Sequence, residues 1–315
     1  MDSFSTASTY LGFDLLNKPR KRTDGNILFS PVGISTTIGM ILMGSRGITA
    51  SQLQEVFCSE EDTESSGIKA EEEVRRLHTK DLFPDGSLSS LTKLVLMNTI
   101  YFKGQWDRKF KKENTKEEAF WLNKSTSRSV LMMTLKHSFS FTFLEDLQAK
   151  IVGIPYKNND LSLFVLLPND IDGLEEIIDK ISPEQLVEWT SPGHMEKRSV
   201  HLHVPRLEVE DSYFLEDVLA DMAMGNNFGE CQANCLEMSP RSSLQAQKIL
   251  HRCCIALTEE GTEAAAATGI DFNDASAPGD ENPRDENVCC DHPFLFFIRH
   301  NESKNVLFFG RFSSP

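Results

Sequence analysis

Glu259-Glu260-Gly261-Thr262-Glu263-Ala264-Ala265-Ala266-Ala267-Thr268-Gly269-Ile270 is the stretch on which the reading of this chain turns, and some twenty mostly polar residues follow it before the sequence becomes apolar again at Pro293. Connections beyond about a dozen residues are uncommon in compact domains unless they are functional or disordered. This one carries a period of two. Thr262, Ala264, Ala266, Thr268, Ile270 and Phe272 form one set, uncharged and small until its far end; Glu263, Ala265, Ala267, Gly269 and Asp271 form the other. That is the alternation of a strand, with one face fit to slide beneath a packed layer and the other fit to face water. Alanine is also the best helix former, and composition alone favours one exposed helical turn or a spacer.

Working outward, the C-terminal Asp291-His292-Pro293-Phe294-Leu295-Phe296-Phe297-Ile298 ends in Phe309-Gly310-Arg311-Phe312. Together the two stretches decide the matter by resemblance. The first is similar to the proximal hinge of the reactive-centre loop of inhibitory serpins, and the second resembles the serpin signature segment. The chain is thereby identified as a member of the serpin family, in its ovalbumin-like, intracellular branch. The resemblance implies an α+β fold with a large mixed β-sheet, further sheets and helices.

Composition sets outer limits. With 315 residues, 40% of them hydrophobic, the chain has material for one large core or two domains. Neither a Pro/Gly/Ser linker nor an internal repeat divides it, so a single domain over residues 1–315 is expected. A net charge of -15 argues against nucleic acid and anionic membranes as partners. No apolar run approaches the length of a membrane span, and Met1-Asp2-Ser3-Phe4 lacks the basic start of a signal peptide. Seven cysteines, Cys58, Cys231, Cys235, Cys253, Cys254, Cys289 and Cys290, are an odd number with two adjacent pairs, which is no disulfide framework and fits a reducing cytosol. A metal site from Cys231, Cys235, His201 and His203 is conceivable, but the second CxxC element is missing, so no metal is expected. Neither is a cofactor.

Along the chain, Phe4, Ala7, Leu11 and Leu15 share a helical face between Ser3 and Asn17, with Phe13 and Leu16 outside the stripe, so that helix is expected to be buried on more than one side. Asn26 to Ser30 reads as a short strand leading to Pro31 and an apolar helix from about Val32 to Met43, and Ser30 is an N-cap by its own chemistry. Thr49 to Phe57, Leu174 to Ile181 and Phe214 to Met224 read as helices. Leu91 to Trp106 is nearly continuous apolar sequence and predicts a strand buried on both faces. Phe139–Phe143 and Ser162–Leu167 flank a turn at residues 157–160, and Val200 to Val209 alternates as a strand with His201 and His203 on one face. Ile249 to Thr258 is the strand that leads into the hinge.

The family resemblance assigns roles to several of these residues. The hinge is Glu259, Gly261, Thr262, Ala264, Ala265, Ala266, Ala267 and Thr268, in a loop spanning about 259–288, and counting along it places the cleaved bond between Ala275 and Ser276. Ser30, Asn98, Trp106 and His251 match the region where the main sheet opens, His251 bridging to Ser30 and Asn98 as a latch. On their own terms, His251 and Asn98 are satisfied core polar groups and Trp106 is core packing. Gly33 departs from the family, many members of which carry a serine there. The largest departure is a block missing between about residues 69 and 79, which would hold helices D to F and two strands of the main sheet. With it gone, the strand before Trp106 is expected near an exposed sheet edge, and the chain to be poorly soluble.

No Gly-x-Ser-x-Gly, His-Glu-x-x-His, Gly-x-Gly-x-x-Gly or Walker loop occurs, and only the cysteine pairs speak for an enzyme. The resemblance implies instead a monomeric, cytoplasmic serine-type protease inhibitor and no catalytic residues, with unconventional release to the outside as the alternative location. Its partner would be a serine protease with a shallow primary pocket that accepts Ala275, with papain-like cysteine proteases as a second class. The alternative is a non-inhibitory or unstable truncated relative.

Overall fold

A computed structural model describes residues 3–17, 24–44, 95–215, 233–234, 245–246, 248–260 and 285–315. In chain order the elements are helix α1 (Ser3–Asn17), strand β1 (Ile27–Phe29), helix α2 (Pro31–Gly44), strands β2 (Val95–Phe102), β3 (Lys116–Asn123), β4 (Thr126–Leu144), β5 (Ala149–Pro155) and β6 (Leu161–Pro168), helices α3 (Leu174–Lys180) and α4 (Pro183–Trp189), then strands β7 (Glu196–Pro205), β8 (Leu207–Phe214), β9 (Ala233–Asn234), β10 (Gln245–Ala246), β11 (Lys248–Leu257), β12 (Glu286–Cys289), β13 (Phe294–His300) and β14 (Val306–Phe312). The chain divides into two compact units: Met1–Pro31, Phe102–Asp211 and Cys254–Pro315 form the first, Val32–Tyr101 and Ser212–Cys253 the second.

The first unit is built on a nine-stranded sheet in the order β1-β14-β13-β6-β5-β4-β7-β12, with β3 paired to β4. The period-two patterns explain it. In β7, Val200, Leu202 and Val204 are buried while His201 is exposed, so one face enters the core and the other meets water. The signature segment forms the apolar centre: β13 pairs antiparallel with both β14 and β6, and Phe294, Phe296, Phe309 and Phe312 are fully buried. A Cβ on Gly310 would lie 2.6 Å from the Ile27 carbonyl oxygen and 2.7 Å from the Phe296 ring, so the Phe309-Gly310-Arg311-Phe312 run needs a glycine for β1 to approach β14. Helix α1 lays Phe13 against Phe309, ring centroids 5.4 Å apart, and buries Leu11, Leu15 and Leu16 as well, the many-sided burial that its sequence suggests.

The structure corrects the sequence in three places here. The turn at 157–160 joins β5 to β6, and β5 itself, Ala149–Pro155, lies between the two segments that the sequence pairs across that turn. The alternating segment from Val200 is broken at Arg206 into β7 and β8. Helix α4 goes unread although Ser182 caps it with a complete capping box to Gln185 and Pro183 opens it.

In the second unit β2 is an outer strand, among the described residues, of a three-stranded sheet ordered β2-β11-β8. The expected burial of β2 on both faces fails: Met97 is 43% exposed and Tyr101 39%. Continuous apolarity shows only that a strand has no polar face of its own. The cover has to come from elsewhere, and Met97 and Tyr101 stay partly open to solvent. The helices expected at Thr49–Phe57 and beyond Leu215, and the boundary at 69–79, lie outside the described residues.

Candidate functional site

Strand β11 ends at Leu257, and the three residues after it are held by a platform made from residues 106–115. Trp106 is buried, stacks on Tyr156 with ring centroids 4.5 Å apart, and meets Phe110 edge-on. Its indole Nε1–H donates to the Thr258 carbonyl at 2.8 Å. The Phe110 amide donates to the Glu259 carbonyl at 3.0 Å, and the Thr115 hydroxyl donates to Glu259 Oε1 at 2.9 Å. Glu259 is buried, 6% exposed, so a hydroxyl aimed at its carboxylate is needed to offset lost hydration. Glu260 pairs with Lys112 at 2.7 Å; their hydrogen bond holds the Glu260 carboxyl below its ordinary range and raises the Lys112 ammonium.

The far end of the same loop is also pinned. Asp285 pairs with Lys136 at 2.6 Å and Glu286 with Arg198 at 2.7 Å. From Glu286 the chain is already strand β12, parallel to β7, so the return begins before the 288 that the sequence suggests. Thus the chain leaves at Glu260 and comes back at Asp285 with both ends fixed. Gly261, Thr262, Ala264, Ala265, Ala266, Ala267, Thr268, Ala275 and Ser276 lie outside the described residues.

Within the second unit, His251 on β11 and Asn98 on β2 meet across the pair of strands, Nδ1 to Oδ1 at 3.0 Å. His251 Nε2 lies 3.0 Å from the Cys253 sulfur. Burial, complete for the side chain, pushes the imidazole down to about 4, so it is neutral at physiological pH. Because the amide oxygen of Asn98 accepts only, the protonated nitrogen of the neutral ring is Nδ1. Gly33 is explained by the same cluster. A Cβ there would fall 2.3 Å from Ile100 Cδ1 and 2.6 Å from Asn98 Oδ1, so the glycine makes room for the amide that His251 uses. Asn98 is half-buried rather than sealed in. Ser30, in the first unit, is buried just before α2, with Pro31 as the first helical residue.

Sequence reasoning brings out Trp106, Asn98, His251 and Glu259 but misses Phe110, Lys112 and Thr115. Their partners are some 150 residues away in sequence, and no local pattern marks them.

Comparison with known proteins accounts for this arrangement. The family model for serpins, serine protease inhibitors, matches residues 6–80 and 72–315. Human Serpin B13, the member of the ovalbumin-like branch also known as headpin or hurpin, is 57% identical over 396 aligned positions that cover 100% of both chains, against the 315 residues present here. The horse (Equus caballus) leukocyte elastase inhibitor is 35% identical over 384 positions, again covering both chains fully. Among solved structures, uncleaved ovalbumin superposes with a TM-score of 0.84 at 25% identity and full coverage of both. A chain whose loop leaves β11 and returns on β12, whose core is the signature segment, and which aligns end to end with these proteins while lacking part of their length, belongs to the serpin family.

Proposed function

We propose that this chain is a suicide-substrate inhibitor of serine-type proteases. The observation that carries the reading is the closed pair β2–β11, whose second strand runs on in sequence into the loop root. A protease that attacks the bond between Ala275 and Ser276 forms an ester with the loop. The freed segment then extends from Thr258 and enters between β2 and β11 as a new central strand, gaining main-chain hydrogen bonds on both sides. That step must separate the two strands and break the His251–Asn98 contact, so this contact is a latch on the closed state. Small, uncharged Thr262, Ala264, Ala266 and Thr268 are the side chains that pass beneath the sheet. A shallow, elastase-like primary pocket suits Ala275, while Asp271 and Asp274 disfavour an acidic cleft. The setting is cytosolic, since an odd cysteine number with adjacent pairs suits reducing conditions.

The second reading is a truncated relative that presents the loop without trapping its attacker, and the exposure of Met97 and Tyr101 favours it. We place the missing block between about residues 69 and 79, where the two family matches overlap. Incubation with an elastase-like protease separates the readings. The inhibitor gives a denaturation-resistant complex and a peptide beginning at Ser276; the truncated relative gives the peptide without the complex. For the inhibitor, Thr262→Arg abolishes the complex while leaving cleavage intact, because a charge forced into the sheet costs several kcal/mol.

A further inference from the structure

One group of side chains has no part in the loop or the latch. Strands β3, β7 and β12 bring Glu118, His203 and Cys289 together, with one ligand atom of each lying within 4.8 Å of the others. The backbone fixes this meeting. His203 stands opposite Cys289 in the parallel register of β7 and β12, and the Cys290 amide donates to the His203 carbonyl at 2.9 Å. Strand β3 is tied to the chain just past β12 by the Trp121 amide donating to the Asp291 carbonyl at 2.7 Å.

The polar atoms at the centre are poorly satisfied. His203 Nδ1 is buried and, among the described residues, has no hydrogen-bond partner. Glu118 Oε2 stands 3.9 Å away, beyond hydrogen-bond reach. Ligands of a tetrahedral zinc at bond lengths of about 2.0 to 2.3 Å lie about 3.3 to 3.8 Å apart, so small side-chain rotations bring all three into contact with one ion. The Glu118 carboxylate is itself one of the three groups, and Asp291 follows Cys289 by two residues, so negative charge gathers where an ion would sit. His203 Nδ1, left without a hydrogen-bond partner among the described residues, is the nitrogen available to an ion. The side chains of His203 and Glu118 are 24% and 35% exposed, which leaves an ion a route from solvent.

We propose that Glu118, His203 and Cys289 form a three-ligand site for a zinc-class divalent cation, with the fourth position taken by water. On binding, the Cys289 thiol releases its proton to solvent and gives up its hydrogen bond to Asp291. One carboxylate and one thiolate then balance the two positive charges. Sulfur and imidazole donors favour zinc over magnesium or calcium. The ion would clasp β12, the strand on which the loop returns, to β7 and β3. This holds whether or not the chain inhibits a protease.

Cobalt(II), which takes the same donors, tests the site on the full chain. The expected result is a cobalt–thiolate absorption band that added zinc abolishes, that Cys289→Ser removes, and whose apparent affinity falls about tenfold or more in Glu118→Gln. Glu118→Gln keeps the shape of a part-exposed side chain, so it decides the matter even if Cys289→Ser does not fold. The absence of a band in the native chain overturns the proposal. So does a band unchanged by Glu118→Gln or surviving Cys289→Ser, which would place the metal on other cysteines.

Discussion

The two units of this chain spend their apolar residues in opposite ways. In the nine-stranded sheet, Phe29, Phe120, Phe139, Phe141, Phe294, Phe296, Phe309 and Phe312 are all fully buried. Two arginines drawn into that unit find partners: Arg299 donates to Thr190 through its terminal nitrogens and lies over the Phe164 ring, and Arg311 binds Gly25 and Glu175. In the three-stranded sheet, Met97 and Tyr101 face water, and a neutral histidine and an amide hold two strands across their boundary. Aromatic packing without alternatives makes a scaffold that stays shut. A polar side-chain contact added to the pairing of adjacent strands makes a seam, because its groups can find other partners when the strands part.

The scaffold is where one substitution costs most. Phe309 stacks on Phe29 and Phe297 and is met by Phe13, so Phe309→Ala removes a shared contact of three rings. A loss of about 3 to 5 kcal/mol is expected, enough to unfold a marginal domain, and a urea titration measures it. The seam responds to pH instead. His251 is held at about 4 in the folded chain, below an ordinary 6.5, so as pH falls the unfolded chain takes the proton first. Stability is full above about 6.5 and declines down to about 4, by up to about 3 kcal/mol. Melting temperatures of the native chain and His251→Gln, compared from pH 7.5 to 4.5, should show a steeper acid decline in the native chain; parallel declines would remove the seam's titration. The smallest effect belongs to the uncovered face. Met97→Lys should change stability by less than about 0.5 kcal/mol and reduce light scattering on heating, because a charge on an outer strand discourages edge pairing.

How much of this the sequence discloses depends on how local the cause is. The signature segment is legible because Phe294 to Ile298 are apolar throughout, Val306 to Phe312 are apolar but for Gly310 and Arg311, and both runs are bounded by turn residues. His203 and His201 fall on the face that the alternation from Val200 indicates, since burial of one face fixes a period of two. Strand β2 is misjudged because its cover depends on distant chain. Helix α4 was available to reading: Ser182-Pro183-Glu184-Gln185 states a capping box in four residues, and only the short apolar pattern behind it hides the helix. At the loop root, Trp106 and Glu259 are found through family likeness, whereas Thr115 reaches Glu259 across 144 residues and leaves no trace in either neighbourhood. Asn98 and His251 could be named from the sequence, but the reason for Gly33 beside them needs the position of the amide oxygen.

The stack of Trp106 on Tyr156 has an optical consequence. Trp106 is the buried member of the chain's three tryptophans, since Trp121 and Trp189 are partly open to solvent. Its indole N–H is bonded to the carbonyl from which the loop departs. Indole emission depends on the polarity and hydrogen bonding around the ring. Any event that pulls on Thr258 therefore alters the light this residue emits, and the chain carries, at the root of its own loop, a fluorophore that needs no label.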